Sequence, residues 1–318
     1  MGNVFDIMNF PKDLLRISDL TTPQFLNLLK TAQILKKELR IKSKNRPLLQ
    51  NKTLAMIFEK PSLRTRVSFE VGMTQLGGHA IYLAPQDIQL GARETIADAA
   101  GTLEKMVDGI MARVFKHETL VELSKNTKNT PIINGLSDLE HPCQILADML
   151  TVLEKKGRLK GISFAFVGDG ENNVTHSLAL ASGLLGIDFR VASPKGFRML
   201  PEITKQARTL AKKNGGKISE FDKPQDAIKN ADVVYTDTWI SMGDEKSKKQ
   251  RLKIFKSYQI TKALMNLAKK NAIFMHDMPA YRGNEVEAEV IDGKQSVIFD
   301  QAGNRLHAQK AILAILMK

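Results

Sequence analysis

Apolar residues along this chain recur with two alternating periods. Near-continuous apolar runs at 52–58, 80–83, 109–115 and 131–133 predict short buried strands. Between them, apolar positions return with helical spacing at 62–77, 94–106 and 118–125. A strong helix is predicted at 141–153, where Ile145, Leu146, Met149, Leu150 and Leu153 share a face. A second series then begins. It predicts strand 162–167, helix 174–185, strand 189–192, helix 201–214, strands 217–221, 233–236 and 272–276, and a last helix at 304–318. Strands alternating with helices imply parallel sheets covered on both faces. The fold class expected is therefore α/β, with two doubly wound parallel-sheet lobes linked by helices. The domains expected are 1–150 and 151–318. No repeat of 20–50 residues breaks this pattern.

Composition narrows the class. The chain has 318 residues, 43% hydrophobic and 25% charged, which is ordinary globular usage. Its single cysteine, Cys143, excludes an internal disulfide framework and a multi-cysteine zinc site. A cytoplasmic enzyme is expected. The first residues show no basic stretch followed by an apolar core, so they do not read as a secretory signal. The most apolar run, 177–187, is too short to span a membrane, which takes about 18 apolar residues or more. The net charge is +13. Residues 1–150 hold 19 basic and 16 acidic residues, and 151–318 hold 28 and 18. The excess thus sits in the second half. Solvated faces account for it, and no aromatic-interleaved basic motif supports a nucleic-acid partner.

Five segments carry chemistry. In Phe58-Glu-Lys-Pro-Ser-Leu-Arg-Thr-Arg66 a strand ends, a proline turns the chain, and Ser62 is placed to cap a helix. A helix start offers unpaired N–H groups and a positive dipole end, and arginine adds a fork matched to phosphate oxygens. An anion site and an ordinary capped helix are both open from spacing alone. His141-Pro-Cys-Gln144 heads the next long helix, with His141 and Gln144 on one face. Gly168-Asp-Gly-Glu-Asn-Asn173 follows a strand but lacks the third glycine of a dinucleotide turn, so a nicotinamide cofactor has little support. Asp237-Thr-Trp-Ile-Ser-Met-Gly243 and Met275-His-Asp-Met-Pro-Ala-Tyr-Arg-Gly283 also follow strands. In open parallel sheets ligands bind beyond the carboxyl ends of strands.

Taken together, these segments resemble the aspartate/ornithine carbamoyltransferase family. The Ser-x-Arg-Thr-Arg segment, His-Pro-x-Gln and Asp-x-x-x-Ser-Met-Gly appear in the family's order, and the likeness runs from about residue 15 to residue 316. The last of these motifs points within the family to ornithine as acceptor. The resemblance implies transfer of a carbamoyl group from carbamoyl phosphate to the δ-amine of L-ornithine, giving citrulline and phosphate. It implies no metal and no organic cofactor. It also implies a homotrimer or a multiple of trimers with shared sites, and a last helix that returns to the first domain.

Residue by residue, the resemblance assigns carbamoyl phosphate to the first lobe. Ser62, the backbone at Leu63, Arg64 and Thr65 would hold the phosphate, with Arg113 bridging to it. Gln89 would reach the neighbouring subunit's site. His141 and Gln144 would hold the carbamoyl group, with Arg305 near its carbonyl oxygen and the Met278 backbone near its amide. Asn173, Asp237, Ser241 and Met242 match ornithine contacts. Arg64, His141, Asp277 and Arg305 are the expected catalytic set. Asp277 is a departure, because the family's His-Cys-Leu-Pro reads His276-Asp-Met-Pro279 here. A carboxylate there suits a proton acceptor, and it also suits a different amine acceptor such as putrescine or a less active relative.

Overall fold

The computed structural model describes residues 8–240 and 248–318. Its first unit holds the residues up to Leu150 together with Gly303–Lys318. Its elements are α1 (Thr22–Lys42), β1 (Thr53–Phe58), α2 (Leu63–Gln75), β2 (His79–Leu83), α3 (Pro85–Ile88), α4 (Ile96–Glu104), β3 (Gly109–Arg113), α5 (His117–Lys125), β4 (Ile132–Leu136) and the start of α6 (Pro142–Lys156). The four strands are parallel, in the order β2-β1-β3-β4. Five of the six β1 residues are buried, as a strand covered on both faces requires. Chain order reverses between β1 and β3, and that crevice is where such sheets take ligands.

The second unit spans Thr151–Ala302. It contains β5 (Ser163–Val167), α7 (Asn173–Leu185), β6 (Asp188–Ala192), α8 (Pro201–Asn214), β7 (Lys217–Phe221), α9 (Pro224–Ile228), β8 (Val233–Tyr235), α10 (Lys248–Phe255), α11 (Lys262–Met265), β9 (Ile273–Met275) and α12 (Ala288–Ile291). Its parallel sheet runs β7-β6-β5-β8-β9 and reverses between β5 and β8. Phe164 and Phe166 both stack on Tyr235 at 5.9 Å, which fastens β5 to β8 through buried rings. The last helix, α13 (Ile298–Leu316), starts in this unit and ends in the first.

The α/β class with two parallel sheets matches the pattern of the sequence, and several elements extend it. The strand–helix alternation leaves α1 out. Yet Phe25, Leu28, Leu29, Ala32 and Leu35 are all buried, at helical spacing. Thr21 caps that helix by accepting from the Gln24 N–H at 3.4 Å. The final helix begins at Ile298 rather than 304. Gly303 lies inside it, and a glycine there mimics a boundary in sequence.

Candidate active site

At the first reversal point, β1 ends at Phe58 and α2 starts at Leu63. Ser62 is its N-cap and its Oγ accepts from the Thr65 N–H at 3.3 Å. The first-turn amides of such a helix have no intrahelical acceptor, and a turn of this kind suits an anion. Leu63 is exposed, Arg64 half-buried and Thr65 buried. Arg113 closes β3 from the neighbouring strand and is buried. The register against β4 slips beside it, so that Ala112 faces Asn134 and Arg113 faces Leu136. Gly135 is the residue left over. A Cβ on Gly135 would lie 2.4 Å from the Met111 sulfur and 3.2 Å from the Ala112 carbonyl, so a larger residue in the bulge would displace the Met111 side chain.

His141 sits just ahead of Pro142, and its carbonyl accepts from the Gln144 and Ile145 N–H groups at 3.1 and 3.3 Å. Gln144 is buried. Its Nε2 donates to Asp148 Oδ1 at 2.8 Å, and its Oε1 accepts from Arg305 Nη1. Arg305 Nη2 also donates to Thr65 Oγ1 at 3.2 Å. One buried guanidinium on α13 therefore ties the start of α2 to the start of α6.

Charge in this unit is uneven. Burial first, then Arg305, Arg113, Lys60 and Arg64, hold the His141 imidazole well below its ordinary range. His141 is therefore neutral at physiological pH, a hydrogen-bonding group rather than a cation. Lys60 is lowered to about 8 by burial and then by Arg113. Lys60 stands in the loop between β1 and α2 and belongs to this cationic set, a residue that motif reading passes over. A lysine among arginines at a strand end is the signal that could have found it. Cys143, between His141 and Gln144 in sequence, is a buried thiol whose pKa burial raises to about 12 against the pull of Arg305. It donates to the Asn134 carbonyl at 3.2 Å.

The second unit has its own reversal point, lined by carboxylates. After β5 the chain turns through Gly168, Asp169 and Gly170. A Cβ on Gly170 would come within 2.7 Å of the Phe197 carbonyl and of Ser193 Oγ, so only glycine fits. Asn172 caps α7 by accepting from the Val174 N–H at 2.6 Å, and its Nδ2 donates to Asp237 Oδ2 at 2.5 Å. Asp237, beyond β8, also accepts from the Thr238 N–H at 2.6 Å. Among the described residues, both hydrogen-bond donors to this buried carboxylate are neutral. Asp277 follows β9. Oxygens of Asp237 and Asp277 and a ring nitrogen of His276 lie within 4.8 Å of one another. Such a trio brings a metal to mind, but both His276 nitrogens are engaged. Nδ1 accepts from the Met278 N–H at 2.9 Å, which places the ring proton on Nε2, 3.3 Å from Glu285 Oε1. Met278 itself is held at φ +63°.

Among the predicted residues, hydrogen bonds join Thr65, Gln144 and Arg305, while electrostatic contact with His141 brings in Arg64, Arg113 and Arg305. Gln89 is different: it is exposed, at the left-handed end of α3. Asn173 is the first residue of α7, and Asn172 beside it donates to Asp237. Met278 lies in the second unit with Asp277. Ser241 and Met242 lie outside the described residues. Arg282, grouped by sequence with His276 and Asp277, turns to the surface and forks onto Asp292 at 2.6 and 2.9 Å.

Comparison with known proteins fits this two-part geometry. Residues 12–154 match the carbamoyl-P binding domain of the aspartate/ornithine carbamoyltransferases, and residues 160–316 match their Asp/Orn binding domain. The chain belongs to the aspartate/ornithine carbamoyltransferase family. It is 51% identical over 306 residues to an ornithine carbamoyltransferase of Thermococcus kodakarensis, covering 96% of each chain. The Bacillus subtilis ornithine carbamoyltransferase is 49% identical over 319 residues, covering 100% of this chain and 98% of that one. The solved ornithine carbamoyltransferase of Pyrococcus furiosus superposes with a TM-score of 0.93 at 51% identity, covering 96% of both chains.

Proposed function

We propose that this enzyme transfers the carbamoyl group of carbamoyl phosphate to the δ-amine of L-ornithine, releasing L-citrulline and phosphate. The observation that carries the reading is the gathering of Arg64, Arg113, Arg305 and Lys60 around a neutral, buried His141 at one reversal point. The α2 start and its arginines suit a phosphate. Arg305 and Gln144, fixed to each other, suit a carbamoyl oxygen and its amide. The δ-amine nitrogen attacks the carbamoyl carbon and an oxyanion forms. The bond from that carbon to the phosphate oxygen then breaks, and the amine loses a proton. Arg305, Arg64 and Thr65 are the donors for the developing oxyanion, and Arg113 holds the departing phosphate. His141 adds a neutral hydrogen bond to the same carbonyl. The Met278 backbone serves the carbamoyl amide. Asn173, Asp237, Ser241 and Met242 take the amino and carboxylate ends of the acceptor, and Asp277 receives the proton of the δ-amine.

The same reading carries a homotrimer, or a multiple of trimers, in which exposed Gln89 serves the neighbouring subunit's site. It also carries a cytoplasmic location. Among the described residues no helix is long and apolar enough to cross a membrane. The deciding experiment is citrulline formation by the purified protein from carbamoyl phosphate and a panel of amines. Ornithine is expected to lead. Preference for putrescine or another amine overturns the acceptor, and no product from any amine overturns the reaction. Light scattering of the eluting protein reads the trimer.

A further inference from the structure

The second reversal point holds two carboxylates on adjacent strands, and they are treated differently. Asp169 follows β5 and Asp237 follows β8, strands that pair directly through Phe166 and Tyr235. Asp169 is buried and is met by a cation: Arg251 Nη2, from α10, forms an ion pair with its Oδ2. Arg251 Nε donates in turn to the Trp239 carbonyl at 2.6 Å. The guanidinium lies 5.0 Å from the centre of the Phe197 ring and 5.3 Å from that of Phe255, and Trp239 stacks on Phe255 at 5.8 Å. One side chain thus bolts the turn after β5 to the segment after β8. Those two segments carry Asn172, Asn173 and Asp237. Among the described residues, the hydrogen-bond donors to Asp237 are the neutral Asn172 amide and Thr238 N–H.

We propose that Arg251 is a positioning residue for acceptor recognition, neutralising Asp169 and fixing its turn to Trp239 so that Asp237 is the carboxylate offered to the acceptor's ammonium group. The proposal rests on the assignment of the acceptor to the second unit. Arg251 touches neither substrate. It acts by setting the distance between the α7 start and Asp237, and by removing a competing negative charge one strand away. A fork is needed because two acceptors must be held at once, a carboxylate and a carbonyl. Lysine supplies the charge without the fork.

The test compares Arg251→Met, Arg251→Lys, Asp169→Asn and the double variant Asp169→Asn/Arg251→Met with the parent enzyme. In Arg251→Met the ornithine KM is expected to rise about tenfold or more, with kcat within about threefold and the carbamoyl phosphate KM unmoved, the size of effect typical when a charged buried partner is lost. L-norvaline, which is ornithine without its δ-amine, is expected to weaken in parallel as a competitive inhibitor. Arg251→Lys recovers part of the loss. Asp169→Asn leaves an unmatched cation beside the site and also raises KM. The double variant is expected to lie well below the product of the two single effects. An ornithine KM within twofold of the parent in Arg251→Met overturns the proposal, as does a fall in kcat alone. If Arg251→Met does not fold, Arg251→Lys and Asp169→Asn decide, and unchanged ornithine KM in both overturns it. Citrulline formation by the parent separates the two readings. Its absence removes the acceptor assignment and the role of Arg251 with it. Its presence with an unmoved KM removes the role of Arg251 alone.

Discussion

The two reversal points are built alike and charged oppositely. Each lies where a parallel sheet changes direction, between β1 and β3 in one unit and between β5 and β8 in the other. Each opens onto a capped helix start, with Ser62 capping α2 and Asn172 capping α7. A buried imidazole also stands at each, His141 in the first and His276 in the second. The first imidazole is surrounded by arginines and a lysine, and the second by Asp237, Asp277 and Glu285. One scaffold therefore gathers cations at one reversal point and carboxylates at the other. The difference lies in the side chains that close the strands, not in the topology.

The sharpest way to break this comparison is to remove Arg305. It is buried, and it binds Thr65 and Gln144 together. Arg305→Met is expected to lower kcat/KM by on the order of 10³, because a preorganised donor to a developing oxyanion is lost. The loss belongs in kcat. If steady-state kinetics place it only in the ornithine KM, Arg305 is not serving the carbonyl oxygen.

The mirror experiment in the second unit is Asp237→Asn. The amide keeps the shape but not the charge. A hydrogen bond to a charged group contributes about 1.5–3 kcal/mol, so the ornithine KM is expected to rise on the order of 10- to 100-fold. The carbamoyl phosphate KM is expected to stay put. Equal movement of both constants would erase the division of labour between the units.

How far the sequence shows this division depends on where the partners lie along the chain. Ser62, Arg64 and Thr65, and likewise His141 and Gln144, are legible because each group sits within one helical turn at a strand end. Arg305 reaches Gln144 across 161 positions, and no local period announces that. Only the family resemblance placed it. Arg251 and Asp169 are 82 apart, and although Asp169 sits in the glycine turn after β5, nothing in the sequence marks Arg251 as its partner. Lys60 lies inside a motif but reads as an ordinary loop residue until burial and Arg113 are seen around it. α1 is the reverse case: its buried face was readable, and nothing about strand–helix alternation calls for it.

A smaller effect sharpens the charge of the first unit. Lys60 titrates at about 8, below its ordinary value, because burial and Arg113 disfavour the proton. Between that value and the unfolded value of about 10.4 the unfolded chain binds more protons than the folded one, so stability rises with pH across this window. Lys60→Met is expected to flatten that rise in denaturant titrations. A bound anion pushes the other way and restores the proton. Sulfate has no proton of its own to exchange near pH 8. Its binding there, measured by calorimetry in buffers of different ionisation enthalpy, is expected to take up about half a proton. No uptake would mean that Lys60 does not face the anion.

The smallest effect concerns Cys143, which lies between His141 and Gln144 in sequence and apart from them in chemistry. Its side chain is fully buried, its thiol donates to the Asn134 carbonyl, and burial pushes its pKa up to about 12. A thiolate is the reactive form, so at neutral pH this sulfur is inert. Cys143→Ala is expected to keep kcat and both KM values within twofold, while losing about 1 kcal/mol of stability from the small void it leaves. Iodoacetamide is expected to leave the folded enzyme active for the same reason. Rapid inactivation with one equivalent of label incorporated would show a reachable thiolate beside His141. It would mean that the first reversal point is far more open than the burial of Cys143, His141 and Gln144 allows.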